Sequence, residues 1–319
     1  MTIYLSNDDV RSLLTYEDCV KVIDDLFRHE ANGDAENFPT TSLNLPKGFH
    51  RTKVGGAYGF GAYGLKTYGR VPGPVGVRYL VLLYSTKDGS FEAIMDAKDL
   101  GEIRTAAVSA VGANHMARKN ATKIGIIGTG REARGQIAAM KSVRNISQVK
   151  CWSRTAENRA SFAKDIKERH GIETIACETA KEAIEDADII ITVSGADDPV
   201  LFGEWLKPGQ HICAIGATSL FRRELDEEAI KRADLIAVEN LEQSMAECGE
   251  LIYAAHSRAL KWKTVREMHE IVSGKVAGRP SEDAITIVDT IGVGAEDVAV
   301  AAYVLQKARE RGVGVQLPL

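Results

Sequence analysis

Two groups of residues in this 319-residue chain could do chemistry by their type and spacing. The first is a run of small residues between an apolar strand and a helix. In KIGIIGTGREARGQIAAM the strand ends in Gly128-Thr129-Gly130-Arg131-Glu132-Ala133, a G-x-G-x-x-A pattern. Gly128 permits the tight turn, Gly130 lets backbone approach a pyrophosphate, and Ala133 allows close helix–strand packing. The N–H groups and dipole of the helix then face the phosphates. The alternative is a Gly-rich turn of an α/β fold that holds no nucleotide. At the end of the next strand stand Ser153-Arg154-Thr155 rather than the acid that bonds an NAD ribose. An arginine and two hydroxyls suit a 2′-phosphate, so NADP(H) is favoured over NAD(H), with a solvated arginine as the bland alternative.

The second group is two cations in small or apolar company. In GAYGLKTYG, strand alternation puts Lys66 on the face of Gly64 and Tyr68, and in DLGEIRTAAVSAVGA, Arg104 lies in an Ala-rich, close-packing helix. A buried cation needs a partner. A substrate carboxylate is one, and an internal ion pair is the other.

These residues need elements to hold them. Residues 1–30 read as helical, with Asn7 and Thr15 as N-caps. From Arg51 to Asp96 the runs GAYGLKTYG, VRYLVLLYST and SFEAIMDA read as strands, with a hairpin centred on Asp88-Gly89. A helix follows from about Lys98 to Ala117. From Lys123 the strands KIGIIG, QVKCWS, ADIIITV, HICAIG and DLIAVE alternate with helices at 131–144, 156–170 and 226–232, which predicts βαβ units and a parallel sheet. AITIVD and a helix from about Ala295 to Arg311 close the chain. The fold class is α/β: a Rossmann-type doubly wound parallel sheet over 118–294, beside an α+β domain from 1–117 and 295–319. With no linker in sight, the domains are expected to join tightly around a cleft.

Composition excludes other classes. Lys plus Arg is 40 against 44 for Asp plus Glu, a net charge of −4, so neither nucleic acid nor an anionic membrane is an expected partner. There is no leader-like N-terminus and no apolar run of the roughly 18 residues a span needs, so a cytoplasmic protein is expected. Cys19, Cys151, Cys177, Cys213 and Cys248 are odd in number and never form CxxC, and no HxxxH or HExxH occurs, so neither disulfides nor a metal site is expected. A catalytic Cys–His pair stays open. The charged run LFRRELDEEAIKRAD reads as a solvated loop and helix face, and Glu296 and Asp297 as acids complementing the dipole of the final helix, with a catalytic role as the sharper alternative.

Taken in order, GLKTYG, IRTAAVSA, IGIIGTGREARGQ, CAIGATSLFRRELD, LEQSMAECGELI and ITIVDTIGVGAEDVAVA resemble the ornithine cyclodeaminase/μ-crystallin family over nearly the whole chain. The resemblance implies a Rossmann domain beside a substrate-binding, dimer-forming domain, and NAD(P)-dependent chemistry at the C–N bond of an α-amino or α-imino acid. It implies that Lys66 and Arg104 hold the substrate carboxylate, with Lys66 able to assist proton transfer. Val193, Ser194, Gly216, Ala217 and Gly292, at the ends of later strands, join the candidate cofactor contacts.

Two departures shape the expected activity. Where cyclodeaminases carry an Asp near the nicotinamide, this chain has Thr218. A hydroxyl is a poor base at neutral pH, so ornithine cyclisation is disfavoured. The family's Pro-Arg is here Pro39-Thr40, and its Met-Pro-Ala-Tyr is Gly55-Gly56-Ala57-Tyr58. Arg51, Lys53 or Arg78 could supply the missing cation. The expected function is an imine reductase for small α-imino acids, with Lys66, Arg104 and Thr218 as catalytic candidates, acting as a homodimer. An oxidative amino-acid dehydrogenase and an NADPH-binding protein with little turnover are the alternatives.

Overall fold

In the computed structural model, which describes residues 2–74 and 76–319, the β-branched and aromatic runs of the N-terminal part pair into one sheet. Its strands are β1 (Thr2–Leu5), β2 (Ala35–Asn37), β3 (Thr41–Leu45), β4 (Gly48–Ala57), β5 (Ala62–Arg70), β6 (Arg78–Ser85) and β7 (Phe91–Asp96). The order is β1-β7-β6-β5-β4-β2, with β3 also on β4 and a C-terminal strand, Val315–Leu317, outside β1. β4 to β7 are antiparallel neighbours. Between β6 and β7, Gly89 takes φ +75° at the expected hairpin.

The start of the chain departs from the all-helical expectation. β1 joins the sheet, because TIYL finds a parallel partner in β7 that local propensity cannot reveal. Ser6, not Asn7, caps the helix Asn7–Leu13 in a capping box with Asp9. Asn7 instead accepts the Asp99 N–H at 2.9 Å, at the start of the helix Lys98–Met116. Thr15 caps the helix Tyr16–Ala31 as expected.

The final helix, Gly294–Arg311, packs on β4, β5 and the helix Tyr16–Ala31. Its first turn reaches the sheet because Gly55 has no side chain: a Cβ there would sit 2.2 Å from the Ala295 nitrogen. That approach explains the glycine in the Gly55-Gly56 departure, and it aims Glu296 and Asp297 at the buried face of β4 and β5.

Contacts divide the chain into Met1–Thr105 with Gly292–Leu319, and Ala106–Ile291. The division falls within the helix Lys98–Met116, where the sequence placed it just after that helix.

The second unit is built on a parallel sheet of β8 (Lys123–Ile127), β9 (Gln148–Trp152), β10 (Glu173–Ala176), β11 (Ile189–Thr192), β12 (His211–Ala214), β13 (Leu235–Val238), β14 (Arg266–Glu267) and β15 (Thr286–Asp289). The order β10-β9-β8-β11-β12-β15-β13-β14 reverses direction at β8, the switch point of a doubly wound sheet. Ile126, Ile127, Ile189 to Ile191, Ile212 and Val288 are fully buried, as strands covered on both faces require. The helix expected over 131–144 stops at Met140. Arg144 lies beyond it and donates to the Ala113, Asn114 and Ala117 carbonyls at the end of the helix Lys98–Met116. No helix among the described residues is long and apolar enough to cross a membrane.

Candidate active site

The G-x-G-x-x-A turn has the geometry its residues imply. Gly128 takes φ +112°, and a Cβ there would lie 2.4 Å from the Val193 carbonyl oxygen. Gly130 is the N-cap of the helix Arg131–Met140 and offers no capping side chain. A Cβ at Gly130 would meet nothing within 4 Å, so the turn is open on that side. Arg134 donates to the Thr129 and Gly130 carbonyls and pairs with Asp165 at 2.9 Å, fixing the loop from behind.

A groove of about 550 Å³ runs past this turn. Gly128, Thr129, Gly130, Ser153, Arg154, Thr155, Val193 and Ser194 line it, so the structure brings most of the cofactor candidates together. Thr129 and Ser153 share a hydroxyl–hydroxyl hydrogen bond of 2.7 Å. Arg131 and Glu132 are paired to each other at 3.3 Å on the helix surface, and Ala133 is fully buried at the helix–strand contact. Asp197 and Asp198 also line the groove, which the sequence reading missed. The residues fit a dinucleotide: a helix N-terminus with no capping side chain for a pyrophosphate, and hydroxyls with an arginine at the end of β9.

Gly216, Ala217 and Thr218 follow β12, with Thr218 exposed. Glu224 is the surprise here. It lies in the charged run expected to be solvated, yet it is fully buried. Its carboxylate accepts the Ser194 N–H at 2.5 Å and the Gly216 N–H at 2.7 Å. Backbone donors removed from water need an acceptor, and no periodicity in the sequence marks this glutamate as that acceptor.

Lys66 and Arg104 come together in the first unit. Lys66 Nζ lies 2.7 Å from Asp297, while Arg104 donates to Asp297 through Nε and to Glu296 through Nη1, each at 3.0 Å. Both carboxylates are fully buried. The internal ion pair thus exists, and Glu296 and Asp297 do far more than complement a dipole. Of the three further cations weighed, Lys53 is the one buried here, directly opposite Lys66 in the β4–β5 register. Arg51 lies over the Phe49 ring and Arg78 is exposed. Lys53 Nζ donates to the Gly292 carbonyl at 2.6 Å. Gly292, with φ +72°, lets the Arg104 guanidinium lie where its Cβ would be. The structure therefore places this cofactor candidate within the cation cluster.

Burial and the neighbouring charges of Arg104 and Lys53 push the Lys66 ammonium down to about 7, against the pull of Asp297. Burial alone would raise the Asp297 carboxyl, but Arg104 and Lys66 outweigh it and hold it below its ordinary value. The carboxylate is held as an anion beside a lysine whose charged form burial disfavours.

The open Cys–His possibility resolves the other way. Cys213 Sγ lies 3.4 Å from His211 Nε2, but burial pushes the thiol up and the imidazole down to about 3. Such a pair cannot form thiolate and imidazolium. All five cysteines are buried and free.

The sequence profile described as the Ornithine cyclodeaminase/mu-crystallin family matches residues 1–312. The chain belongs to this family. A Δ1-pyrroline-2-carboxylate reductase of Bacillus cereus is 37% identical over 267 residues, 82% of each chain. Among solved structures of the family's fold, the Thermococcus litoralis Δ1-pyrroline-2-carboxylate reductase in complex with NADH and L-proline has a TM-score of 0.94 at 29% identity. The match covers 99% of this chain and 100% of that one. An archaeal alanine dehydrogenase dimer with bound NAD has a TM-score of 0.93 at 32% identity, covering 100% and 99%.

Proposed function

We propose that the chain reduces small α-imino acids of the Δ1-pyrroline-2-carboxylate kind, with NADPH favoured and NADH usable. It is an oxidoreductase acting on a CH–NH bond. The support in its own residues is an excess of buried positive charge. Among the described residues of the first unit, the buried charged side chains are Lys53, Lys66 and Arg104 against Glu296 and Asp297. Two lysines directly opposite on adjacent strands repel. One added carboxylate balances the cluster, and an α-imino acid brings it.

In this reading Lys66, Arg104 and Lys53 bind the substrate carboxylate, and Asp297 holds Lys66 and Arg104 in place. The helix amides of the Gly128–Ala133 turn and the hydroxyls of Ser153 and Thr155 hold the dinucleotide, which when bound supplies a hydride to the imine carbon. The imine nitrogen also needs a proton, and Lys66 can deliver it because its charged and neutral forms coexist near neutrality. Thr218 hydrogen-bonds substrate or a water and supplies no base, which sets the reaction apart from ornithine cyclisation. The protein works as a homodimer. Val54, Tyr63 and Leu80, on the sheet face opposite Lys66, are exposed and suit cover by a second copy.

The direct test follows absorbance at 340 nm with Δ1-pyrroline-2-carboxylate and either NADPH or NADH. Rapid oxidation of the reductant supports the reading. If neither is oxidised while NAD(P)⁺ is reduced in the presence of open-chain amino acids, the dehydrogenase reading, which the resemblance to alanine dehydrogenase favours, replaces it. Tight NADPH binding with no turnover on either panel would leave a binding protein.

Two further results are expected. Arg154→Ala should lower kcat/KM with NADPH about tenfold, the order of one charge-assisted contact, and leave NADH within about twofold. Equal effects on both reductants would discard the 2′-phosphate role. The pH profile should also carry Lys66. Its protonated form pairs with the carboxylate and donates, and its folded pKa is lowered to about 7. kcat/KM for reduction should therefore be level below about pH 7 and fall as pH rises above it, about tenfold per unit. Lys66→Arg stays charged and should abolish that limb. A wild-type profile flat to about pH 9 would remove Lys66 as the titrating group.

A further inference from the structure

Glu224 has no part in the chemistry above, yet its side chain is fully buried and accepts two backbone N–H groups. Its carboxylate joins two segments that leave adjacent parallel strands, accepting Ser194 N–H after β11 and Gly216 N–H after β12. Gly216 is tied to that arrangement, since a Cβ there would lie 2.4 Å from the Glu224 carboxyl carbon. Glu224 is itself held from behind. Its own N–H and that of Leu225 donate to Glu250 Oε2 at 2.8 and 2.9 Å, and its carbonyl accepts from Val200 and Leu201 at 2.8 and 2.9 Å. Glu250 and Asp289 are also buried, and burial raises both carboxyls, Asp289 to about 7. Cys248 Sγ donates to Asp289 at 3.2 Å, as a thiol rather than a thiolate. The burial of so many acids is costly unless they fix something.

What they fix lies on one side of the switch point. In a doubly wound sheet the pyrophosphate sits at the first turn, here after β8. The adenosine half lies over the β9 side and the other half over the strands beyond the switch, here β11 and β12. We propose that Glu224 is a positioning residue for the nicotinamide half of the cofactor, setting the two backbone segments at Ser194 and Gly216 against which that half lies. This rests on the dinucleotide reading and adds a residue to it. The adenosine half, held by Gly128 to Ala133 and Ser153 to Thr155, does not depend on Glu224.

The experiment uses calorimetric titration of the full chain with NADPH and NADH, each beside its fragment lacking the nicotinamide riboside, 2′-phospho-ADP and ADP. In Glu224→Gln an amide nitrogen faces one of the two N–H groups, so the intact dinucleotides should bind about tenfold more weakly or worse while the fragments keep wild-type affinity. Glu224→Asp, with a carboxylate one methylene shorter, should fall between, and it decides the matter by the same comparison if the glutamine variant does not fold. Equal weakening of dinucleotides and fragments, or no change in either, overturns the proposal and leaves Glu224 a general structural residue. Failure of the wild-type chain to bind either class overturns the dinucleotide reading itself, and the proposal with it.

Discussion

Replacing Lys66 by methionine is expected to lower kcat/KM for imino-acid reduction by about a thousandfold, with NADPH affinity unchanged and the melting temperature no lower than wild type. The kinetic part follows from burial. A carboxylate entering the cluster loses its water, and a desolvated ion pair broken by removing one partner costs about 3–5 kcal/mol, which is roughly two to four powers of ten. On the proposed reading, the proton donor is lost in the same step. The stability part follows from the charges. With Lys66 gone, Lys53 and Arg104 face Glu296 and Asp297, two against two, and the opposed lysine pair on β4 and β5 is relieved. Methionine fills the volume without a charge to desolvate. A more stable and nearly inactive variant is the signature of a residue kept for a ligand rather than for the fold. Activity within about fivefold of wild type would mean that Lys66 touches no substrate. A large fall in melting temperature would mean that its ion pair serves the fold.

The nucleotide turn was legible because all of its determinants are local. Strand, glycines, small residue and helix follow one another from Lys123 to Met140, and each has a backbone reason to be there. Lys66 and Arg104 were legible as anomalies, charges in company that should be apolar, but their partners were not. Asp297 is 231 positions from Lys66, and nothing local separates an acid that complements a helix dipole from one that enters a cation cluster. Lys53 became distinguishable from Arg51 and Arg78 only through register, because β4 had to be placed beside β5 before 53 and 66 faced each other. Glu224 was hidden in a run of charges of both signs. Its burial is dictated by two amides from distant strands, and amides carry no sequence signal. Ser6 and Asn7 show a related limit at short range: both are good caps, and Ser6 takes the role in a box with Asp9 while Asn7 is engaged by Asp99, which the fold brings in from another element.

Asp297→Asn carries the largest expected cost to the fold. The change is nearly isosteric, yet it leaves Lys53, Lys66 and Arg104 facing Glu296 alone, and the amide can satisfy only one of the two cations that Asp297 now receives. An uncompensated buried charge costs about 3–5 kcal/mol, which for a chain of this size lowers the melting temperature by about 10 °C. Were Asp297 merely an acid in the first turn of a helix, the loss would stay below about 1 kcal/mol and would be screened by salt. The double variant separates these cases. Adding Lys66→Met to Asp297→Asn restores the wild-type excess of one cation, so most of the lost stability should return, with a coupling of about 2 kcal/mol between the two sites. Two substitutions that simply add would show that Lys66 and Asp297 do not share a charge balance. The assignment of the spare positive charge to a substrate carboxylate would fall with that result.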